Sequence, residues 1–225
     1  MIYCVSDIHG CFDTFMSLLG KIEFDPQNDT LYVLGDVIDR GPRPIDCLVY
    51  IKKTKGMYLI LGNHEQKMIE FFEGRFNNWG SIGNETTLEQ LAGLTDKERS
   101  GIITYVRARP YYKTLGVNGK RYFLSHAGLD VSVPFKDQTT RDLVWGGRER
   151  FFTRKDLPRH TCIFGHTPTF HIRRNDNCSI WEDPIYHDKI CIDCGCTYGG
   201  CLAALRLDDG KVFYAENSAT PWFHL

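Results

Sequence analysis

No stretch of this 225-residue chain is apolar for long enough to span a bilayer, and neither sign of charge is in excess. Lys and Arg number 27 against 28 Asp and Glu, a net charge of −1. That balance excludes the basic footprint of a nucleic-acid-binding protein or of a polybasic membrane anchor. Internal repeats, low-complexity segments and linkers are also lacking, so a single domain over residues 1–225 is expected. The first apolar run begins at Ile2, which leaves no room for a signal peptide and points to the cytoplasm. Cysteine, by contrast, is plentiful: nine residues, an odd number. Without an export signal these read as reduced thiols, several buried as small hydrophobes. Cys191, Cys194, Cys196 and Cys201 cluster, but Asp193 and glycines are interleaved and the spacing is no paired zinc framework.

What the chain does have is a recurrent pattern. Five short apolar runs each end in a small residue followed by a metal-binding side chain. They lead to Asp7, Asp36, Asn63, His126 and His166, preceded by Ser6, Gly35, Gly62, Ser125 and Gly165. Runs of this length, rich in β-branched and aromatic residues, read as buried strands. Laid side by side, they would place five ligand-type side chains along one rim, with His9 two residues beyond Asp7.

The first third reads as alternating strand and helix. Phe12, Phe15, Leu18, Leu19 and Ile22 have helical spacing after Asp7. Gly41-Pro42 marks a turn and helix start ahead of Ile45, Leu48, Val49 and Ile51. Such βαβ units imply parallel strands with functional groups at their carboxyl ends. Residues 66–110 read as helical, with a capping box at Thr95-Asp96-Lys97-Glu98 and a stop at Pro110. Strands follow at about 112–117, 121–125, 161–165, 189–193, 201–207 and 211–216, with hairpin turns at Asn118-Gly119 and Asp209-Gly210. A parallel-first, antiparallel-later order predicts an α/β chain of two sheets packed face to face with helices outside.

Asp7 and His9 offer a carboxylate and an imidazole to one ion. Asp36 has lone pairs enough to bridge two, and Asn63, His126 and His166 complete the second. These hard and borderline donors suit Mn, Fe, Zn or Co. Two ions can clamp the attacking and leaving oxygens of an in-line displacement and make hydroxide available near neutral pH, which suits a phosphate ester. His64 is placed to protonate the departing oxygen, with Asp39 holding its far nitrogen. Arg40 could bind phosphate oxygens bidentately, joined by Arg148. Taken singly, an Asp or Asn after a strand is more often a turn or cap; the conjunction carries the case. His160, His171, His187 and His224 have no such placement. The apolar end Pro221-Trp222-Phe223-His224-Leu225 is expected to pack back on the domain.

Ser6-Asp7-Ile8-His9-Gly10, Gly35-Asp36-Val37-Ile38-Asp39-Arg40-Gly41, Gly62-Asn63-His64-Glu65, His126-Ala127-Gly128 and Gly165-His166-Thr167-Pro168 resemble the ordered motifs of the phosphoprotein phosphatase family of metallophosphoesterases. The small bacterial and lambda-phage-type serine/threonine phosphatases look most similar. The resemblance implies the calcineurin-like α-β-β-α sandwich, with Asp7, His9 and Asp36 on one ion and Asp36, Asn63, His126 and His166 on the other. It implies His64 as general acid paired with Asp39, Arg40 and Arg148 on phosphate, and two divalent ions, Mn²⁺ first and Fe or Zn as alternatives. Substrates would be phosphoserine and phosphothreonine proteins, phosphotyrosine or small phosphomonoesters, with no nucleic acid and no membrane. The extra glycine in Trp145-Gly146-Gly147-Arg148 leaves Arg150 as an alternative to Arg148, and Tyr198 could approach the bound phosphate. A symmetrical dinucleoside tetraphosphate hydrolase shares the fold and metal site; Asp39-Arg40 and His64-Glu65 favour the protein phosphatase.

Overall fold

Alternation along each strand sets the layers. In the computed structural model, which describes residues 1–146, 151–152, 159–217 and 221–222, β1 (Ile2–Val5) sends Tyr3 and Val5 to one side and Cys4 to the other. β2 (Thr30–Leu34) and β3 (Met57–Ile60) pair parallel to it in sequence order. The other half of the sandwich opens with β4 (Tyr112–Val117) and β5 (Lys120–Ser125), an antiparallel hairpin. Val117 pairs with Lys120 across Asn118-Gly119, both with positive φ, the two-residue turn that the sequence signals. β6 (Thr161–Phe164) and β8 (Lys189–Cys191) continue parallel to β5, and the two-residue β7 (Trp181–Glu182) closes that edge antiparallel. The chain then returns to the first sheet as β9 (Cys201–Arg206) and β10 (Val212–Glu216). The strand orders are β10-β9-β1-β2-β3 and β4-β5-β6-β8-β7.

Cys4, Leu34, Ile60 and Leu205 of the first sheet meet Tyr122, Leu124 and Ile163 of the second, forming the inner core. On the outer face of the first sheet, Tyr3, Val5, Leu31 and Val33 pack under α1 (Phe12–Lys21), α2 (Pro44–Lys53), α3 (Asn63–Phe72) and α5 (Asp96–Arg107). Phe123, Cys162 and Phe164 do the same on the second sheet with Leu143 and Val144 of α6 (Thr140–Trp145). α4 (Glu85–Ala92) lies against α2, and α7 (Thr169–Arg173) follows β6. The α/β two-sheet sandwich flanked by helices is therefore as expected. No helix among the described residues is long and apolar enough to cross a membrane.

Details differ from the sequence reading, which lacked α6, α7 and β7. The later strands are not uniformly antiparallel: β5, β6 and β8 are parallel, because α6 and α7 fall in the crossovers between them. The second helix starts at Pro44, not Pro42. Both prolines follow a turn, and Pro44 takes the first helical position, where a missing N–H is harmless.

One side chain laces the two loops that leave β2 and β3. Glu65, fully buried in the first turn of α3, accepts the backbone N–H groups of Asp36 (2.8 Å) and Gly62 (3.0 Å) on Oε2. Its Oε1 accepts those of Val37 (2.8 Å) and Ile38 (3.3 Å). Burial and the nearby Asp36 push its carboxyl upward, while these N–H groups pull it back. A Gln here would turn an NH₂ donor toward two N–H groups that need acceptors. Glu65→Gln is expected to lower stability by roughly 2 kcal/mol or more, read from denaturant midpoints. A loss under about 0.5 kcal/mol, within ordinary surface-substitution scatter, would show the clamp to be redundant.

Candidate active site

The ligand-type residues leave their strands through backbone turns that side chains rarely adopt. Asp7, His9, Asp36, Asp39, Arg40 and His166 all have φ between 43° and 72°. Non-glycine residues are uncommon in this region, and clustering of such strain marks functional sites. The sandwich holds these turns in place: Asp7 N donates to Gly35 O, His9 N to Asp36 O, and Gly165 N to His126 O. The five strand ends thereby converge from both sheets, with Asn63 opening α3.

Asp36 is at the centre. Its Oδ2 lies 3.3 Å from His126 Nε2, 3.6 Å from His9 Nε2 and 3.8 Å from His64 Nε2. His9 Nδ1 donates to Ile38 O (2.8 Å) and His126 Nδ1 to Leu34 O (2.8 Å). A carbonyl can only accept, so both rings turn Nε2 inward toward the carboxylate. Backbone contacts of this kind fix the tautomer of a metal-binding imidazole. Asn63 Oδ1 lies 2.9 Å from both His126 Nε2 and His166 Nδ1. Asp7 accepts from the backbone N–H of His166 at 3.0 Å.

Glycine is needed beside these carboxylates. A Cβ at Gly62 would stand 2.2 Å from Asp36 Oδ1, and one at Gly165 2.0 Å from Asp7 Oδ2. The electrostatics show how concentrated the charge is. Burial alone would push Asp36 up, yet His126, His64 and His9 hold it well below the ordinary range. Burial alone would pull His126 down, yet Asp36 and Asp7 carry it up to about 10. Burial pushes Asp7 up to about 7 and, with His126, holds His166 at about 3. Two groupings could hold an ion: His9, Asp36 and His64, and Asp36, His126 and His166. They share Asp36, which could bridge two ions, and their nitrogen and carboxylate donors fit a pair of divalent cations.

His64 is also tied elsewhere. Its Nδ1 donates to Asp39 Oδ2 at 2.6 Å, and its buried Nε2 has no hydrogen-bond partner. Asp39 in turn accepts Trp79 Nε1–H at 2.7 Å and Thr87 Oγ1–H at 2.5 Å. Trp79 and Thr87 were invisible in the sequence, lying 40 and 48 positions away in helical segments without a motif. Arg40 Nη1 donates to His9 Nε2 at 2.9 Å, which places its guanidinium at the same cluster, with Tyr198 beneath it.

Arg148 and Arg150 lie outside the described residues. Among the described residues no cysteine enters an ion-binding group; all nine thiols are free, and Cys191 Sγ faces the carbonyls of Gly165 and Thr167. Arg173, which could have faced an acidic substrate, donates instead to the carbonyls of Ser179 and Ile180. His160 packs on Phe135, His171 on Phe170, and His187 on Glu182, away from the site.

A family model of the calcineurin-like phosphoesterases matches residues 1–198. A symmetrical bis(5'-nucleosyl)-tetraphosphatase of Chromobacterium violaceum is 28% identical over 94% of this chain and 94% of its own. The crystal structure of a candidate diadenosine tetraphosphatase superposes with a TM-score of 0.72 at 23% identity, covering 96% of this chain and 93% of that one. A protein serine/threonine phosphatase from Saccharomyces cerevisiae gives 0.66 at 16% identity, covering 97% and 80%. At these identities the two structures speak for the fold alone. With the family model spanning most of its length and the turns of two sheets gathering its Asp, Asn and His side chains, this chain belongs to the calcineurin-like phosphoesterases.

Proposed function

We propose that this phosphoesterase hydrolyses symmetrical dinucleoside tetraphosphates, opening the central phosphoanhydride with water to give two nucleoside diphosphates. The observation that carries this reading is the near full-length similarity to a symmetrical bis(5'-nucleosyl)-tetraphosphatase. It favours this reading over the finer expectation of a serine/threonine protein phosphatase, with a nucleotide in place of a phosphoprotein as substrate. Asp39, Arg40, His64 and Glu65, which had weighed toward the protein phosphatase, serve the phosphoryl group or the loops around it. Both substrates present that group, so these residues do not separate them.

Asp7, His9 and Asp36 would hold one divalent ion, and Asp36, Asn63, His126 and His166 the other; Mn²⁺, Fe or Zn all suit the donors. When bound, the ions would polarise the phosphate and make hydroxide available near neutral pH. Arg40 would bind phosphate oxygens through its free N–H groups, with Arg148 or Arg150 as a second guanidinium. His64 is assigned as general acid and not as ligand. Asp39, locked by Trp79 and Thr87, holds His64 Nδ1 and so would leave Nε2 to face the leaving oxygen. That pair also supports a second reading, a phosphomonoesterase, because an alkoxide leaving group needs a proton far more than a phosphate oxygen does.

Two measurements follow. With Mn²⁺ supplied, kcat/KM on diadenosine tetraphosphate should exceed that on a phosphoserine peptide by at least about tenfold, or 1.4 kcal/mol of transition-state preference. The reverse ratio would restore the protein phosphatase. Replacing His64 with Asn should cut turnover of an alkyl phosphate by roughly 10²-fold or more, the usual reach of general-acid catalysis. The loss on the tetraphosphate should be smaller, with metal content near normal. Loss of one ion in that variant would instead place His64 among the ligands.

A further inference from the structure

Of the apolar segment 221–225, Pro221 and Trp222 lie on the candidate site, and residues 223–225 are outside the described residues. Trp222 N donates to Thr197 O at 2.7 Å, and its indole covers the Arg40 guanidinium at 5.0 Å from the ring centroid. Tyr198 offers a second ring to the same guanidinium at 5.4 Å, and the two rings meet edge-on at 6.1 Å. The seat is shaped by glycine. At Gly83, where φ is +89°, a Cβ would stand 2.9 Å from Trp222 Cζ2 and 3.1 Å from Arg40 Cγ. Gly83 O also accepts the backbone N–H of Arg40 at 2.7 Å. Pro221 lies over Gly199 in the same way.

Among the described residues no carboxylate pairs with Arg40, and its buried Nε has no hydrogen-bond partner. A carboxylate would orient a guanidinium but cancel the charge that phosphate needs. An aromatic face orients it by stacking and leaves available both the charge and the N–H groups that are not given to His9.

We propose that Trp222 is a positioning residue: with Tyr198 it fixes the plane of the Arg40 guanidinium for phosphate. This rests on the assignment of Arg40 to phosphate made above. The test is a double-mutant cycle on the full chain loaded with Mn²⁺. Inorganic phosphate is the probe, its affinity measured by calorimetry alongside KM and kcat on p-nitrophenyl phosphate. Trp222→Ala should weaken phosphate binding roughly three- to tenfold, a cation–π-sized effect. KM should rise more than kcat falls, and Trp222→Phe should restore most of the affinity. In an Arg40→Ala background, Trp222→Ala should change nothing further.

If Arg40→Ala weakens phosphate binding and Trp222→Ala does not, the indole is passive cover and the proposal fails while the role of Arg40 stands. An equal loss from Trp222→Ala in both backgrounds also overturns it, since the indole would then act other than through Arg40. Unchanged binding in Arg40→Ala would remove the phosphate assignment and the proposal together. Should Trp222→Ala fail to fold by thermal unfolding, Trp222→Leu keeps an apolar cover without a π face and carries the same expectations.

Discussion

The four backbone N–H groups gathered by Glu65 are the contact on which the site geometry depends. A parallel sheet fixes where its strands end but leaves the loops beyond them free. Here one buried carboxylate binds the loop after β2 to the start of α3, and so sets Asp36 against Asn63 and His64. The N–H of His64 then donates to Asp36 Oδ1 at 3.1 Å, completing a closed circuit between the two loops. Asp36 is thereby oriented from both sides, with its other oxygen free to face three imidazoles. In a dry interior the four N–H groups that Glu65 satisfies hold the two loops rigidly together.

Among the described residues the second sheet contributes without a comparable clamp. His126 and His166 arrive at the ends of adjacent parallel strands, β5 and β6, and are steadied by contacts to the first sheet: Leu34 O for one, Asp7 for the other. The candidate site is therefore also a joint between the layers. Its donors are what cross from one sheet to the other at this rim, just above the inner core of Leu34, Leu124 and Ile163.

Much of this was legible in the sequence because the informative signals were local. A strand announces itself by composition, and a ligand-type side chain directly after it needs no long-range knowledge to place at the rim. The hairpin at Asn118-Gly119 and the capping box at Thr95 are equally local, and both formed. What failed to show was tertiary. Trp79 and Thr87 reach Asp39 only because α4 and its preceding turn fold over the loop after β2, and nothing in their own segments marks them. The return of β9 and β10 to the first sheet is a topological choice that strand composition does not encode. Substrate class was the hardest to read, because an Asp-His pair and an Arg beside ligand-type residues suit a phosphoryl group whatever it is attached to.

The positive φ angles at Asp7, His9, Asp36 and His166 bear on how this scaffold can change over time. Each such residue is held in a conformation that glycine would take with less strain, so the site is maintained against the local preference of its own backbone. Glycine at one of these positions would relax the turn but leave buried partners such as His64 N or Ile38 O unpaired. Backbone strain and side-chain bonding thus pull in opposite directions at these positions. The rim therefore holds its strained turns only as long as the side chains that cross between the loops and sheets are kept.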